Sequence, residues 1–206
     1  MSNRGWHSRG YLPHFDSGAV VQALTFRLAD TLPRHVLERW RLELSALQTL
    51  TGRRSPERAL RLRIEEYLDA GHGACWLRPP AIARIVQEAL LHFDGQRYRL
   101  LAWTIMPNHV HVIVEVLDLP LEKLIHSWKS FTAKQINARL GRTGSVWSPD
   151  YFDRFIRDEN HLAAAIEYVH QNPVRAGLAA EPAEWVFSSA QPLPLALPWL
   201  GAAADP

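Results

Sequence analysis

The run Met106-Pro-Asn-His-Val-His-Val-Ile-Val-Glu115 sets two imidazoles one residue apart in a stretch dominated by β-branched residues. In an extended strand, successive side chains alternate faces. His109, His111, Ile113 and Glu115 therefore share one side, and Val110, Val112, Val114 and Val116 share the other. The valine face suits packing against helices. Two imidazoles on the opposite face can both reach one divalent ion. The pattern is equally satisfied by two half-exposed histidines on a polar strand face, and His-x-His alone does not separate these readings. Hydrolytic centres of the His-x-His-x-Asp-His kind want a carboxylate and a further histidine next, but Val112, Ile113 and Val114 follow here, which excludes that class.

A second constellation lies in His161-Leu-Ala-Ala-Ala-Ile-Glu-Tyr-Val-His-Gln-Asn172. Helical spacing of three and four residues groups His161, Ala164 or Ala165, Tyr168 and Asn172 on one face. Small alanines beside Tyr168 leave room for a substrate to reach its hydroxyl. Asn172, one turn on, carries an amide oxygen able to serve as a metal ligand. The competing reading makes Tyr168 a packed core residue and Asn172 a helix C-cap before Pro173.

A third stretch, Trp147 to Arg157, interleaves aromatics with Arg154 and Arg157. That composition suits base stacking and phosphate neutralisation, and equally a strand with a mixed surface. Net charge over the whole chain is only +2. Between Leu121 and Arg157, however, seven cations (Lys123, Lys129, Lys134, Arg139, Arg142, Arg154, Arg157) face three acids (Glu122, Asp150, Asp153). The charge is clustered rather than abundant.

The 206 residues suffice for one domain with a real core, or one domain with a sizeable insertion. Cys75 is the lone cysteine, which excludes an intrachain disulfide and a cysteine-rich zinc site. No apolar run approaches the roughly 18–20 residues of a membrane span. Met1 to Ser17 is polar with no hydrophobic signal core, and the expected location is the cytoplasm.

These residues need elements to hold them. Ala19–Asp30 reads as a first strand. Pro33 opens a long helix ended by Gly52, and a second runs from Pro56 to Ala70 before Gly71 and Gly73. Pro79-Pro80 starts a third, through Phe93. Two strands follow, Gln96–Ile105 and His109–Val116. Pro120 begins a helix to about Arg139, a Gly-Arg-Thr-Gly turn leads to an edge strand within Val146–Arg157, and a last helix spans Glu159–Gln171, stopping at Asn172-Pro173. The order predicts an α+β fold with helices on a mostly antiparallel sheet. Residues from about 33 to 78 form a helical insertion in a domain spanning 1–191, and 192–206 form an irregular tail.

Taken in order, the blocks resemble the REP-associated tyrosine transposases, within the single-tyrosine HUH transposases. They are Gly10-Tyr-Leu-Pro-His-Phe-Asp16, Thr25-Phe-Arg-Leu28, Leu68-Asp-Ala-Gly71, Cys75-Trp-Leu77 and Ala102-Trp-Thr-Ile-Met-Pro-Asn-His-Val-His-Val112. Trp128-Lys-Ser-Phe-Thr132, Tyr151-Phe-Asp-Arg-Phe-Ile-Arg157, Tyr168-Val-His-Gln-Asn-Pro-Val-Arg-Ala-Gly-Leu178 and Trp185-Val-Phe-Ser-Ser-Ala190 complete the series. Each block is modest, and their order and spacing are specific.

The resemblance implies a ferredoxin-like, RRM-like sheet with the histidine pair on a central strand. It implies that His109 and His111 bind Mg²⁺ or Mn²⁺, that Asn172 stands where such enzymes place an amide-type third ligand, and that Tyr168 is the nucleophile. Asn172 replaces the glutamine of some relatives, so the shorter arm requires a closer helix. The implied partner is single-stranded or hairpin DNA, in a prokaryotic, nucleoid-associated setting, with the protein a monomer or homodimer. Lys123, Lys129, Lys134, Arg154 and Arg157 are the electrostatic candidates for DNA contact. An unperturbed phenol titrates near ~10, so Tyr168 needs help to ionise. His161, on its helical face, is a candidate for that help. A catalytically silent DNA-binding regulator on the same fold is the alternative. Relaxase-type enzymes fit less well, because they carry a third histidine and a much longer chain.

Overall fold

The computed structural model describes residues 5–9, 12–16, 20–51, 56–117 and 119–191. Strands β1 (Gly5–Arg9) and β2 (Leu12–Asp16) pair antiparallel as a separate two-stranded sheet. The polar composition of this segment carried no strand signal. The main sheet contains β3 (Val21–Leu28), β4 (Tyr98–Ile105), β5 (His109–Val116) and β6 (Trp147–Phe155), in the order β4-β5-β3-β6 and wholly antiparallel. With helices between its strands, this is the expected ferredoxin-like arrangement. β5 is central and β6 lies on an edge. Ala19 and Gly52, expected to open the first strand and close the first helix, lie outside the described residues, as does the tail 192–206.

The period-two pattern of β5 decides what packs on each side. Val110, Val112, Val114 and Val116 join Leu24, Phe26 and Leu28 of β3 in the principal core. Helices α3 (Pro80–Leu91) and α4 (Leu121–Leu140) cover this face through Ile82, Val86, Leu124, Ile125, Trp128 and Ile136. The polar tips inside it are satisfied. Trp128 Nε1 donates to the Tyr98 hydroxyl at 3.2 Å, and Trp147 Nε1 donates to Thr132 Oγ1 at 2.8 Å. Gly141 closes α4 in the left-handed region at φ 61°, where a side chain would be strained.

The other face carries the histidines and is covered too. Helix α5 (Glu159–Arg175) lays Val169 on Ala102 and Ile113. Truncating Ile113 to alanine there would cost about 2–5 kcal/mol. Asp158 caps α5 by accepting the His161 amide at 2.8 Å. Its far end is held through His170, whose Nε2 meets Ser189 Oγ at 2.9 Å, while residues 187–189 hydrogen-bond along the open edge of β4. That strap covers an edge that would otherwise expose unpaired backbone groups.

Helices α1 (Arg34–Thr51) and α2 (Pro56–Asp69) form the expected helical insertion. They bury Leu32, Leu37, Leu60, Ile64 and Leu68 with Phe152 of β6 packed against them. Phe152 pairs with Thr25, which bonds His111, so α2 comes down on the histidine side.

One boundary differs materially from expectation. α5 does not stop at Asn172-Pro173 but continues to Arg175 with Pro173 inside it. A proline removes one helical N–H and crowds one carbonyl, a cost of ~3 kcal/mol or more. Here Pro173 is buried and the extra turn is closed by the Ala176 amide donating to Asn172 O and by Gly177 at φ 68°. As a consequence, Arg175 is carried back over the Tyr168 ring.

Candidate active site

His109 and His111 project from β5 with their Nε2 atoms 3.0 Å apart and their rings perpendicular. Both are buried, at 1% and 3% exposure. Their outer nitrogens are anchored. Asn108 donates through Nδ2 to Leu68 O (3.0 Å) and His72 O (2.9 Å), which turns its Oδ1 toward His109 Nδ1 at 2.6 Å. A carbonyl oxygen only accepts, so His109 carries its proton on Nδ1 and keeps the Nε2 lone pair. His111 Nδ1 meets Thr25 Oγ1 at 2.8 Å. Such partners orient histidine ligands of metals.

The third member was not foreseen. Asp69, the last residue of α2, sets Oδ1 3.7 Å from His109 Nε2. Asp69, His109 and His111 each offer one ligand atom within 4.8 Å of the others, a cluster able to hold a metal ion. Among the described residues Asp69 Oδ1 has no hydrogen-bond partner, and neither amide atom of the fully buried Asn172 has one. Buried polar groups are rarely left so. Two imidazole nitrogens, a carboxylate and orphaned oxygens suit a divalent cation. α5 starts beside Val21, since the Ile156 amide bonds its carbonyl, and it brings Tyr168 to His111, whose partner in β3 is Thr25. Continuing in that direction, Asn172 lies about 6 Å further along the axis, toward the His109 end.

Tyr168 meets the histidines directly. Its ring stands perpendicular to that of His111 with centroids 5.7 Å apart. The hydroxyl is buried and makes no hydrogen bond of ordinary geometry among the described residues, although the Glu65 carboxyl, one turn before Asp69, lies close enough to act on it. Arg175 stacks its guanidinium over the phenol ring at 4.8 Å.

The electrostatics follow from burial. Burial, and then the negative charges of Glu65 and Asp69, push the Tyr168 phenol well above its ordinary value, with Arg175 opposing. Burial pushes Glu65 up, and raises Asp69 to about 6 against the pull of Arg175. Burial and then the charge of Arg175 lower His111 to about 3, and burial and His111 hold His109 well below its usual range. Both imidazoles are thus neutral at physiological pH, as ligation requires.

The remaining candidates divide between the two sides of the sheet. Arg154 lines the cleft that contains Tyr168 and His111, and Arg157 adds charge beside it. His161 lines the same cleft, but seven helical residues separate it from Tyr168, about 10.5 Å along the axis. Its Nδ1 accepts the Arg157 amide at 3.2 Å. Lys123 and Lys134 are exposed on α4, on the opposite side of the sheet. Lys129 is half-buried and donates to the Ser148, Pro149 and Asp150 carbonyls at 3.0–3.2 Å. Glu115, on the histidine face, pairs instead with Arg99 across the strand.

Residues 81–172 match the IS200-like transposase family. A REP-associated tyrosine transposase of Escherichia coli K12 is 24% identical over 107 residues, covering 52% of this chain and 63% of that protein. An uncharacterized protein of Haemophilus influenzae is 31% identical over 98 residues, covering 37% of this chain and 54% of that one. The chain thus spans less than two thirds of either relative's length. A solved structure of a REP-associated tyrosine transposase bound to a REP hairpin shares the fold, with a TM-score of 0.55 at 17% identity over 88% of this chain and 82% of that one. Residues 81–172, the stretch similar to the IS200-like transposases, carry both histidines, the tyrosine and Asn172.

Proposed function

We propose that this protein cuts and rejoins single-stranded DNA at hairpins of the REP type, through a covalent 5′-phosphotyrosine at Tyr168. The observation that carries this reading is the perpendicular contact of Tyr168 with His111, beside the Asp69–His109–His111 cluster, within one chain. The hairpin bound by the structural relative supports the choice of substrate.

Asp69, His109 and His111, with the Asn172 amide oxygen, would hold Mg²⁺ or Mn²⁺. Such an ion supplies charge neutralisation at the scissile phosphate when bound. The Tyr168 oxygen attacks phosphorus, a P–O(Tyr) bond forms, and the P–O3′ bond breaks, its oxygen taking a proton from water to leave a 3′-hydroxyl on the upstream strand. The phenol's proton passes to the facing Glu65 carboxylate, whose raised affinity for protons suits it as an acceptor. Arg175 stabilises the phenolate from above the ring. One phosphodiester-like bond replaces another, so rejoining to a new 3′-hydroxyl needs no nucleotide hydrolysis. The tyrosine and the histidines of one chain suffice for this arrangement, which favours cleavage in cis.

A 3′-labelled single-stranded hairpin, incubated with the protein and Mn²⁺, tests it. A labelled covalent adduct from wild type, absent in Tyr168→Phe and under EDTA, is the expected result. DNA binding without adduct across a panel of hairpins would instead make the protein a silent regulator. An adduct persisting in Tyr168→Phe would mean another nucleophile.

A further inference from the structure

A cleft of about 290 Å³ opens beside Tyr168 between α2, β6 and α5. Its lining has two main characters, with the carboxylates of Glu65 and Asp153 also present. Leu62 of α2, Phe152 of β6 and Ala164 and Ala165 of α5 form an apolar slot. Arg58, Arg61 and Arg154 bring three guanidinium groups to the same space. Arg58 and Arg154 are exposed and Arg61 is half-buried, so their charges remain reachable from solvent. Burial, and then the charges of Arg61, Arg157 and Arg58, hold Arg154 below its ordinary value, with Glu65 alone pulling the other way. Crowded like charges repel unless an anion comes between them.

An anion-seeking rim around an apolar slot matches the two chemistries of a nucleotide, a phosphate and a flat base. The volume is at the lower end of small-molecule sites, enough for one nucleotide and too small for a run of stacked bases. An aromatic wall accepts any base by its π-face. We infer that this cleft seats one unpaired nucleotide of the DNA strand, base between Phe152 and the α5 alanines and phosphate at Arg58, Arg61 and Arg154, adjoining the phosphate that Tyr168 attacks. The inference rests on the reading of Tyr168 as nucleophile. It gives α2 a second task besides carrying Asp69, that of roofing the path of the strand. It also explains a demand for single-stranded DNA at the cut, since a paired base cannot enter the slot.

The test is fluorescence anisotropy with a fluorescein-labelled single-stranded oligonucleotide of mixed sequence, titrated at several salt concentrations. Wild type is compared with the Arg58→Ala/Arg61→Ala double variant and with Ala164→Trp, which fills the slot from an exposed position. Thermal melts confirm that each is folded. All three guanidiniums face one phosphate, so removing two of them should shrink the slope of log affinity against log salt by up to about 0.7. Ala164→Trp should weaken binding on the order of tenfold with the slope unchanged, because it removes a stacking site and no charge. An unchanged slope in the double variant, or wild-type affinity in Ala164→Trp, overturns the assignment, as does a wild type that does not bind the oligonucleotide. If wild type forms the adduct and neither variant changes binding, the cleft is wrong and the cleavage reading stands. If both variants weaken binding and no adduct ever forms, the cleft stands and the cleavage reading fails.

Discussion

Asn108 Oδ1 receives the Nδ1 proton of His109 at 2.6 Å, and this contact fixes which nitrogen of the histidine is free to face Asp69 and His111. The same side chain grips the carbonyls of Leu68 and His72, on either side of Asp69 in sequence. One amide thus sets the tautomer of His109 on β5 and the position of the carboxylate that ends α2.

Asn108→Ala should therefore act on two quantities together. Losing a partner of this kind typically lowers metal affinity by about 10–100-fold, which calorimetric titration with Mn²⁺ would read. The stranded carbonyls add about 1–3 kcal/mol of destabilisation, visible in urea denaturation. Wild-type Mn²⁺ affinity in this variant would mean that the contact does not orient His109.

The pH dependence of the metal-free protein follows from the shifts at the cluster. Histidines held below their ordinary 6.5 contribute stability present above that value and lost on acidification. Asp69, raised from 3.8 to about 6, has the opposite sign, because its neutral form is favoured in the folded state and its contribution is lost as pH rises through 6. Between about pH 6 and pH 4, unfolding takes up two protons at the histidines and releases one at Asp69. Stability should then fall by about 1.4 kcal/mol per pH unit on acidification. Asp69→Asn removes the opposing carboxyl and should roughly double that slope. Equal slopes in the two proteins, from urea midpoints at several pH values, would show that Asp69 is not buried against the histidines.

What was legible in the sequence was whatever a local period encodes. His109 and His111 share a face because a strand alternates, and Tyr168 and Asn172 share one because a helix repeats every 3.6 residues. The α+β class with an antiparallel sheet followed from the order of elements, and the central place of the histidine strand from the resemblance. The approach of Asp69 and Glu65 to the site was not legible. They lie on a helix that reads as an insertion, Asp69 40 residues before His109 and Glu65 far before Tyr168, and no local period connects them. The signal for Asp69 was present in the block Leu68-Asp-Ala-Gly71, as a carboxylate beside a turn. Arg175 was hidden by the expectation that Pro173 ends α5, a rule of local sterics that tertiary packing overrode.

Arg175 should support Tyr168 through charge placed over its ring. Arg175→Ala is expected to slow adduct formation about two- to fivefold, in keeping with the ~0.5–1 kcal/mol of a cation–π contact made by an exposed arginine. Arg175→Lys should recover part of the loss, since the charge returns without the planar stack. The rate of adduct formation under single-turnover conditions is the measurement, and an unaffected rate in Arg175→Ala would remove the residue from the mechanism.

Lys129 and Arg154 separate support of the fold from contact with DNA. Lys129 spends its ammonium on three backbone carbonyls of β6, and burial lowers it to about 8. Lys129→Met should cost about 1–3 kcal/mol of stability and leave oligonucleotide affinity within about twofold of wild type at matched salt. Arg154→Ala, on the exposed side of the cleft, should do the reverse, weakening binding and reducing its salt slope by no more than about 0.7. Affinity loss in Lys129→Met without loss of stability would extend the DNA path over β6.

Asn172 gives a prediction whose two halves have opposite signs. Among the described residues neither atom of its buried amide has a partner, which penalises the metal-free fold by the unrecovered desolvation of a polar group. Asn172→Leu keeps the branching at Cγ, with somewhat more bulk, and removes that penalty. The metal-free variant should therefore melt higher than wild type, with a gain of about 1–3 kcal/mol. If the amide oxygen belongs to the metal site, the same substitution should weaken Mn²⁺ binding, so the rise in melting temperature produced by the ion shrinks. Thermal melts with and without Mn²⁺ read both halves at once. A variant that is more stable without the ion and equally responsive to it would confine Asn172 to packing and leave Asp69, His109 and His111 as the complete protein contribution. A variant destabilised without the ion would mean that the amide is satisfied in solution, by water or by a neighbour that moves to it.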